Sequence, residues 1–179
     1  MILEKEQIRK LILEKNMISD YIDLDIQLQV NGFDLTVKDF FHWRDYGKID
    51  FDNKKREIAS ITPIKLSNLN PYYWDLKQGA YLFQVNETVN LPKNICALSA
   101  QRSSLMRNGV ISHVGLWDCG YNGQGFSSLN VINPDGIIIY ENARVITLWF
   151  FTSEDTEGYN GQFQHEGNKT TVFHLSVGE

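Results

Sequence analysis

The hydrophobic and polar positions of this chain are grouped mostly into short segments of the kind that form β-strands. The clearest segments are brief and rich in β-branched or aromatic residues: AYLFQV (80–85), NICALSA (94–100), GIIIY (136–140) and RVITLWFF (144–151). Turn dipeptides such as Asn108-Gly109 and Asn122-Gly123 separate such segments. Many short strands with frequent turns predict a mainly β fold, as a sandwich, jelly roll or barrel, rather than βαβ units.

Helical periodicity is clear only near the N-terminus. Over residues 2–15, Ile8, Leu11 and Ile12 fall on one face, and Lys and Glu occupy the others. We also predict a short helix over residues 36–42, because Thr36 is a suitable N-cap.

Two segments differ from the strand-rich part of the chain. Residues 42–58 are charged and rich in turn residues, which indicates an excursion from the core. The tail after Thr152 is rich in Gly, Asn, Gln and Thr, so we expect it to be mobile unless a ligand or partner orders it. We therefore divide the chain into a β domain over 1–152 and a tail over 153–179.

Composition and charge narrow the classes of function. With 179 residues, 42% apolar and 22% charged, the chain is typical of one soluble globular domain. A net charge of −5 argues against a nucleic-acid surface but allows a small anionic ligand. No apolar run approaches the roughly 20 residues that cross a bilayer, and residues 1–10 are charged where a signal peptide would be apolar. We expect a cytoplasmic protein without a membrane partner, whose cysteines, Cys96 and Cys119, are buried free thiols.

The segment QRSSLMRNGV (101–110) has the groups that bind an anion. Arg102, Ser103, Ser104 and Arg107 lie within six consecutive positions. Guanidinium groups bind phosphate oxygens in a planar fork, and hydroxyls with backbone N–H groups add neutral donors. The alternative interpretation is a solvated loop with an ordinary pair of arginines.

Asp118 lies at the entrance to a Gly-Tyr-Asn-Gly turn. Its apolar flank, Gly-Leu-Trp, could desolvate the carboxylate and make it a better general base. The alternative is a turn Asp that accepts backbone N–H bonds, which is the commoner arrangement. Tyr121 in the same turn could stack on a sugar ring, or it could anchor the hairpin in the core.

The tail segment GYNGQFQHEGN (158–168) interleaves two aromatic residues with glycines and amides, so it could close over a bound nucleotide or form a disordered end. The four histidines show no metal-ligand spacing, and the chain has no P-loop, no dinucleotide-binding glycine pattern and no Gly-x-Ser-x-Gly elbow. Neither cysteine is part of a Cys-x-x-Cys pair, so zinc-dependent deamination is not supported.

Two of these motifs resemble those of a known family. RSSLMRNGV (102–110) resembles the Arg-Ser-Ser-Leu-x-Arg-x-Gly motif of dCTP deaminases and archaeal dUTPases, and GLWDCGYNGQG (115–125) resembles the Asp-x-Gly-Tyr-x-Gly motif that both share with trimeric dUTPases. The similarity is closest to the archaeal dUTPase branch. It extends over roughly residues 5–167, through the further segments VNGFDLTV (30–37), NETVNLPKNICAL (86–98), NPDGIIIYENARVITLWF (133–150) and YNGQFQHEG (159–167).

This resemblance implies a distorted jelly roll or β-barrel with a short N-terminal helix, assembled as a homotrimer with active sites between subunits. It implies hydrolysis of dUTP to dUMP and pyrophosphate, which removes dUTP from the nucleotide pool and supplies a dTTP precursor. Mg²⁺ would be the cofactor, held mainly by substrate phosphates and water rather than by protein ligands.

The resemblance also implies a role for each candidate residue. Asp118 would be catalytic, since it would orient and deprotonate the attacking water. The resemblance implies that Arg102, Ser103 and Ser104 bind phosphate oxygens and that Arg107 points toward the base or a neighbouring site. The hairpin 113–124, with Val114 and Gln124, would bind uracil, and Tyr121 would pack against deoxyribose. Tyr159 and Gln162 would contact the substrate from the closing tail. Deaminases tend to have a Lys where this chain has Gln162, and Lys169 and Arg144 are other candidates for the terminal phosphates.

One position bears on which reaction occurs. Deaminating members carry a Glu in a Leu-Glu-x-x-Asn context, and here the matching position is Asn130, with no acidic residue from 119 to 134. An amide has no proton equilibrium near pH 7, so it cannot act as a general acid and base. The sequence therefore predicts a dUTP diphosphatase. The alternatives are a dCTP deaminase or bifunctional dCTP deaminase and dUTPase, and a non-catalytic nucleotide-binding regulator. A third alternative is a cupin-like sugar-binding jelly roll, but this chain lacks the His and Glu residues that bind the metal of a cupin.

Overall fold

The structure is a computed structural model that describes residues 1–113 and 115–167. Its helices are α1 (Lys5–Lys15), α2 (Leu24–Gln27) and α3 (Ser103–Arg107). Its strands are β1 (Ile18–Ser19), β2 (Leu28–Gln29), β3 (Gly32–Trp43), β4 (Ile61–Pro63), β5 (Tyr73–Leu76), β6 (Gly79–Val85), β7 (Thr88–Asn90), β8 (Ile95–Gln101), β9 (Val110–Ser112), β10 (Leu116–Trp117), β11 (Asn122–Gly123), β12 (Phe126–Val131), β13 (Ile137–Tyr140) and β14 (Arg144–Thr152). No helix within the described ranges is long and apolar enough to span a membrane.

The N-terminal helix α1 forms as predicted. Glu4 caps it by accepting the backbone N–H of Gln7 at 2.9 Å, and the Gln7 side chain accepts the Glu4 N–H in return. Ile8 and Ile12 are buried in the core, while the charged residues of α1 face outward. The helix ends at Asn16, whose left-handed conformation closes the last turn.

The large sheet curls back on itself. Its strands are paired in the order β10-β8-β14-β3-β6-β12-β9, and β2 and β4 also pair with β3. The strands at the two ends of this order, β9 and β10, are consecutive along the chain. In addition, the Ser112 N–H in β9 donates to Gln101 Oε1 of β8 at 2.7 Å. The result is a half-barrel, which confirms the predicted mainly β fold.

The central strand β3 corrects one prediction. Residues 36–42 lie inside this strand and do not form a helix. β14 pairs with β3 on one side and β6 on the other, so the sheet uses the backbone groups that a helix would need. Thr36 does not cap a helix, because its N–H and hydroxyl both donate to the buried Glu87 carboxylate, at 3.0 and 2.6 Å.

The interior of the half-barrel is packed with aromatic side chains. Phe33, Phe40, Phe83 and Phe150 are fully buried, and Phe40 meets Trp74 edge to face with the ring centroids 5.2 Å apart. Within the charged segment 42–58, β3 extends to Trp43 and a turn-rich loop then leaves the sheet. These buried rings make the wall of the half-barrel a rigid support for the loops at its ends.

The tail is packed along its described part, over residues 153–167. The N–H groups of Ser153 and Thr156 donate to Asn94 and Lys93 at 2.8 and 3.1 Å, and Tyr159 N–H donates to the Cys119 carbonyl at 2.7 Å. Backbone hydrogen bonds and two partly buried aromatic rings, Tyr159 and Phe163, thus hold this part of the tail to the loop before β8 and to the turn after Asp118. Residues 168–179, with Lys169, lie outside the described residues.

Candidate active site

A cleft of about 250 Å³ lies between the hairpin after β10 and the packed tail. Its lining combines carboxylates, aromatic rings and small polar groups. The members that matter below are Trp117, Asp118, Tyr121, Ser127, Tyr159 and Glu166. The cleft therefore brings the predicted catalytic carboxylate together with two predicted substrate-binding tyrosines.

Asp118 is placed by the short strand that precedes it. Trp117 pairs with Ala97 of β8 and is buried, so the next side chain of the strand turns outward. The Asp118 carbonyl accepts the Tyr121 N–H at 3.1 Å and closes the turn, while the carboxylate is exposed at the rim of the cleft. The first interpretation, desolvation by the apolar flank, does not hold within one chain, because Trp117 packs inward, Leu116 is 68% exposed and the carboxylate faces solvent.

Tyr121 is an anchor of the hairpin in this conformation. It is 7% exposed and meets Trp117 edge to face at 5.2 Å, with the Tyr159 ring 5.9 Å away. Burial raises its pKa above the ordinary range of a phenol. Its ring also forms part of the cleft wall. Tyr121 therefore anchors the hairpin and leaves one side of its ring on the cleft, and stacking on a sugar stays a prediction.

The tail docks on the turn through regular hydrogen bonds. His165 N–H donates to the Asn122 carbonyl at 2.6 Å, and Gln124 N–H donates to the Glu166 carbonyl at 2.7 Å. The Gln164 side chain donates to Gly120 and accepts from the Asn122 N–H, both at 2.9 Å. Gly123 permits this approach, because a Cβ there would lie 2.8 Å from the Glu166 carbonyl oxygen.

Glu166 places a second carboxylate in the cleft. It is 8% exposed, and this burial raises its pKa from 4.5 to about 7. Because the charged form is penalised, Glu166 is partly protonated at neutral pH when the tail is docked.

The anion-binding motif lies at the other end of β8. Ser103, Ser104 and Arg107 are exposed on α3, which begins just after the strand ends at Gln101. Asp118 follows the residue paired with Ala97, near the start of β8. From Ala97 to Gln101 the strand rises roughly 13 Å at ~3.3 Å per residue. Within one chain, the structure does not bring Asp118 and the serine pair together.

Arg102 is held by a buried carboxylate. Its guanidinium forms an ion pair with Asp34, whose side chain is only 1% exposed. Arg144 reaches the same Asp34 oxygen at 3.2 Å, and the Thr147 hydroxyl donates to the other oxygen at 2.6 Å. Burial, together with the Arg144 charge, lowers the pKa of Arg102. Asp34 thus fixes two arginines close to the start of α3.

The remaining predicted residues are placed as follows. Gln124 is held at both ends, since Nε2 donates to the Asn86 carbonyl at 2.7 Å and Oε1 accepts from Lys38 at 3.2 Å. Gln162 is exposed in the tail. Val114 lies outside the described residues. Asn130 on β12 has its amide nitrogen 3.1 Å from His113 Nε2.

Sequence reasoning missed Glu166 and the role of Asp34. Asp34 is in the segment VNGFDLTV (30–37), and no local pattern there indicates that it is buried between two arginines. Glu166 has no sequence signal, because its burial depends on docking of the tail. Among residues 1–113 and 115–167, no group of three or more His, Cys, Asp or Glu side chains is arranged to hold a metal ion.

Comparisons with known proteins agree on one family. The family model described as "dCTP deaminase-like" matches residues 2–153. A protein of Archaeoglobus fulgidus named "Probable deoxyuridine 5'-triphosphate nucleotidohydrolase" is 37% identical over 166 residues, which cover 92% of this chain and 96% of that protein. A protein of the same name from Methanosarcina acetivorans is 36% identical over 171 residues, covering 94% of this chain and 99% of that protein. The crystal structure of 2'-deoxycytidine 5'-triphosphate deaminase from Agrobacterium tumefaciens matches with a TM-score of 0.61 at 18% identity, over 85% of this chain and 48% of that one, which shows the shared fold.

Proposed function

Because the chain belongs to the dCTP deaminase-like family, we propose that it is a dUTP diphosphatase, which hydrolyses dUTP to dUMP and pyrophosphate. Relatives that are 34–37% identical over nearly their whole length carry the name of this activity. Such an enzyme removes dUTP from the nucleotide pool and yields a precursor of dTTP. We propose that the enzyme acts in the cytoplasm.

The observation that carries the proposal is the exposed Asp118 carboxylate at the rim of an aromatic-lined cleft. A general base must reach both a water molecule and the reacting phosphorus, and a carboxylate at a cleft rim has that access. In the proposed step Asp118 takes a proton from water, the water oxygen attacks the α-phosphorus, and pyrophosphate leaves with the electrons of the broken P–O bond.

The phosphates need the anion-binding motif as well as Asp118. Arg102, Ser103 and Ser104 would stabilise the charge that moves toward the leaving pyrophosphate. Hydrogen bonds to phosphate oxygens require about 3 Å, whereas the two halves of the site lie at opposite ends of β8 in one chain. We therefore propose that α3 of one protomer meets the Asp118 cleft of a neighbour, and the resemblance to trimeric dUTPases implies that the assembly is a homotrimer.

Mg²⁺ is the cofactor that we propose. The cleft offers the Asp118 and Glu166 carboxylates, and among the described residues no group of three or more His, Cys, Asp or Glu side chains could form a cage. This arrangement fits a cation whose ligands are mainly phosphate oxygens and water, as Mg²⁺ prefers. Bound in this way, Mg²⁺ would neutralise phosphate charge.

The base and sugar would be bound by the hairpin and the tail. The hairpin 113–124 would present backbone groups to uracil, and the Tyr121 ring in the cleft wall would pack against deoxyribose. Residues 153–179 would act as the closing tail, with Tyr159 and Gln162 nearest the nucleotide. The hydrogen bonds between the described tail and the turn support a closing role, because they hold the tail beside the cleft.

Deamination of dCTP is not favoured. The position that would need a carboxylate holds Asn130, whose amide nitrogen lies beside His113 Nε2 at 3.1 Å. An amide cannot give and take the proton that a change at the pyrimidine 4-position requires.

The test is incubation of the purified protein with each deoxynucleoside triphosphate and Mg²⁺, with products separated by chromatography. We expect dUMP and pyrophosphate from dUTP and no ammonia from dCTP. Ammonia from dCTP would establish a deaminase, and dUTP binding without pyrophosphate would establish a nucleotide-binding regulator. Either result would overturn the proposal.

A further inference from the structure

The two cysteines of this chain are 23 residues apart in sequence but line one surface cleft in the structure. Cys96 is on β8, and Cys119 is in the turn directly after Asp118. Both cysteines are partly exposed, so the prediction of buried thiols is wrong, and both lie in the wall of the same cleft, together with Asp118 and Tyr159.

Strand pairing explains why they meet. Trp117 pairs with Ala97 in the antiparallel ladder of β10 and β8, so Asp118 comes opposite Cys96 and Cys119 is the next residue. Cys119 is therefore diagonal to Cys96 rather than directly opposite it, at a point where the chain turns away from the strand. The shared cleft wall and a hydrogen bond between the two thiols place the side chains next to each other, and a disulfide there would require Cα atoms about 4.4–6.8 Å apart. The two side chains also interact electrostatically. Burial raises the pKa of Cys96, and the charge and hydrogen bonding of Cys119 raise it further.

We propose that Cys96 and Cys119 are a redox-sensitive pair that forms an intrachain disulfide when a peroxide is present. Cys119 attacks the peroxide O–O bond as a thiolate, which gives a sulfenic acid and one water molecule once protons are counted, because the raised pKa of Cys96 disfavours the thiolate form there. The second thiol then attacks the sulfenic sulfur, forming the S–S bond and releasing a second water molecule. The balance is two thiols and one hydrogen peroxide to one disulfide and two waters.

The disulfide would act on the neighbouring site through the turn. The Cys119 carbonyl accepts the Tyr159 N–H at 2.7 Å, so Cys119 holds the tail as well as following Asp118 directly. An S–S bond would draw this turn toward β8 and displace Asp118 and the tail's docking point together. The effect on hydrolysis rests on the proposed function, whereas formation of the bond does not.

The first experiment detects the bond by itself. The protein is treated with hydrogen peroxide, free thiols are alkylated, and tryptic peptides are mapped without reduction. We expect peptide 94–102 linked to peptide 108–144 in a chain that stays monomeric on a denaturing, non-reducing gel. In the matched variant Cys96→Ser the linked pair is absent. Complete alkylation of both thiols after peroxide, or a bond between two chains, would overturn the proposal.

The second experiment measures dUTP turnover before oxidation, after oxidation and after reduction with dithiothreitol. We expect oxidation to slow turnover by about tenfold or more, since a shift of ~1 Å at a reacting group costs up to about 100-fold. Reduction should restore the rate, and Cys96→Ser should keep its rate under peroxide. A disulfide that forms without changing turnover would overturn the coupling to Asp118. A reduced protein without any dUTP turnover would count against the proposed function, and the peptide map would still decide the disulfide.

Discussion

Docking of the tail should weaken as the pH rises, because docking buries the Glu166 carboxylate. Its pKa is raised by burial from 4.5 to about 7 when the tail is docked. Below pH 4.5 the group is protonated whether docked or free, so the docked state keeps its full stability. Between 4.5 and 7 the free tail loses its proton first, and docking loses stability at about 1.4 kcal/mol per pH unit.

The shift of about 2.5 units corresponds to about 3 kcal/mol, or roughly a 300-fold change in the docking equilibrium, which is complete above pH 7. Hydrogen exchange measures this directly, since the amides of Tyr159 and His165 donate to the turn only when the tail is docked. After correction for the intrinsic pH dependence of exchange, we expect their protection to fall between pH 5 and pH 8.

Two variants decide the cause. Glu166→Gln removes the titrating group, so protection should become independent of pH. Glu157→Gln changes an exposed carboxylate on the same tail and should keep the pH profile of the unaltered protein. The reasoning would be refuted if Glu166→Gln kept that profile as well, or if protection in the unaltered protein did not change with pH.

Three further substitutions test the site and its support. Asp118→Asn should lower dUTP turnover by about 1,000-fold or more with nearly unchanged nucleotide affinity, because it removes a base rather than a binding group; steady-state kinetics and calorimetric titration measure the two quantities, and near-normal turnover would reject the role. Asn130→Glu should introduce measurable ammonia release from dCTP, since it adds the missing proton carrier; an unaltered protein that already releases ammonia would show that the argument from the amide is wrong. Asp34→Ala should lower the free energy of unfolding by about 2–3 kcal/mol, because it leaves two partly buried arginines without their carboxylate. The exposed Asp25→Ala, which breaks a surface pair with Arg9, should cost under about 1 kcal/mol in the same urea titration.

The strands and the first helix could be predicted because their patterns are local. Alternation and β-branched residues mark β14, and one apolar face marks α1. Thr36 shows where local reasoning fails. A Thr before a short polar and aromatic stretch is a valid N-cap, but the partner that takes its N–H and hydroxyl is Glu87, 51 residues away. Long-range hydrogen bonding therefore determined that residues 36–42 form a strand rather than a helix.

The motifs indicated the right groups but not their distances. Resemblance placed Asp118 and the serine pair in one site, yet β8 separates them within a chain. Nothing in the sequence states that Trp117 turns inward and leaves the next carboxylate exposed, although strand alternation is consistent with it. The nearness of Cys96 and Cys119 depends on the register of β10 on β8, which the two-residue strand does not reveal from sequence.

The composite site can be tested directly by mixing two inactive variants. Asp118→Asn and the double variant Ser103→Ala, Ser104→Ala are assayed separately for pyrophosphate release from dUTP, and then after refolding together in equal amounts. In mixed trimers, about one site in four should combine an intact Asp118 with intact serines from the adjoining protomer. We therefore predict recovery of about a quarter of the unaltered activity. No recovery in mixtures that have demonstrably exchanged subunits would contradict a site shared between protomers.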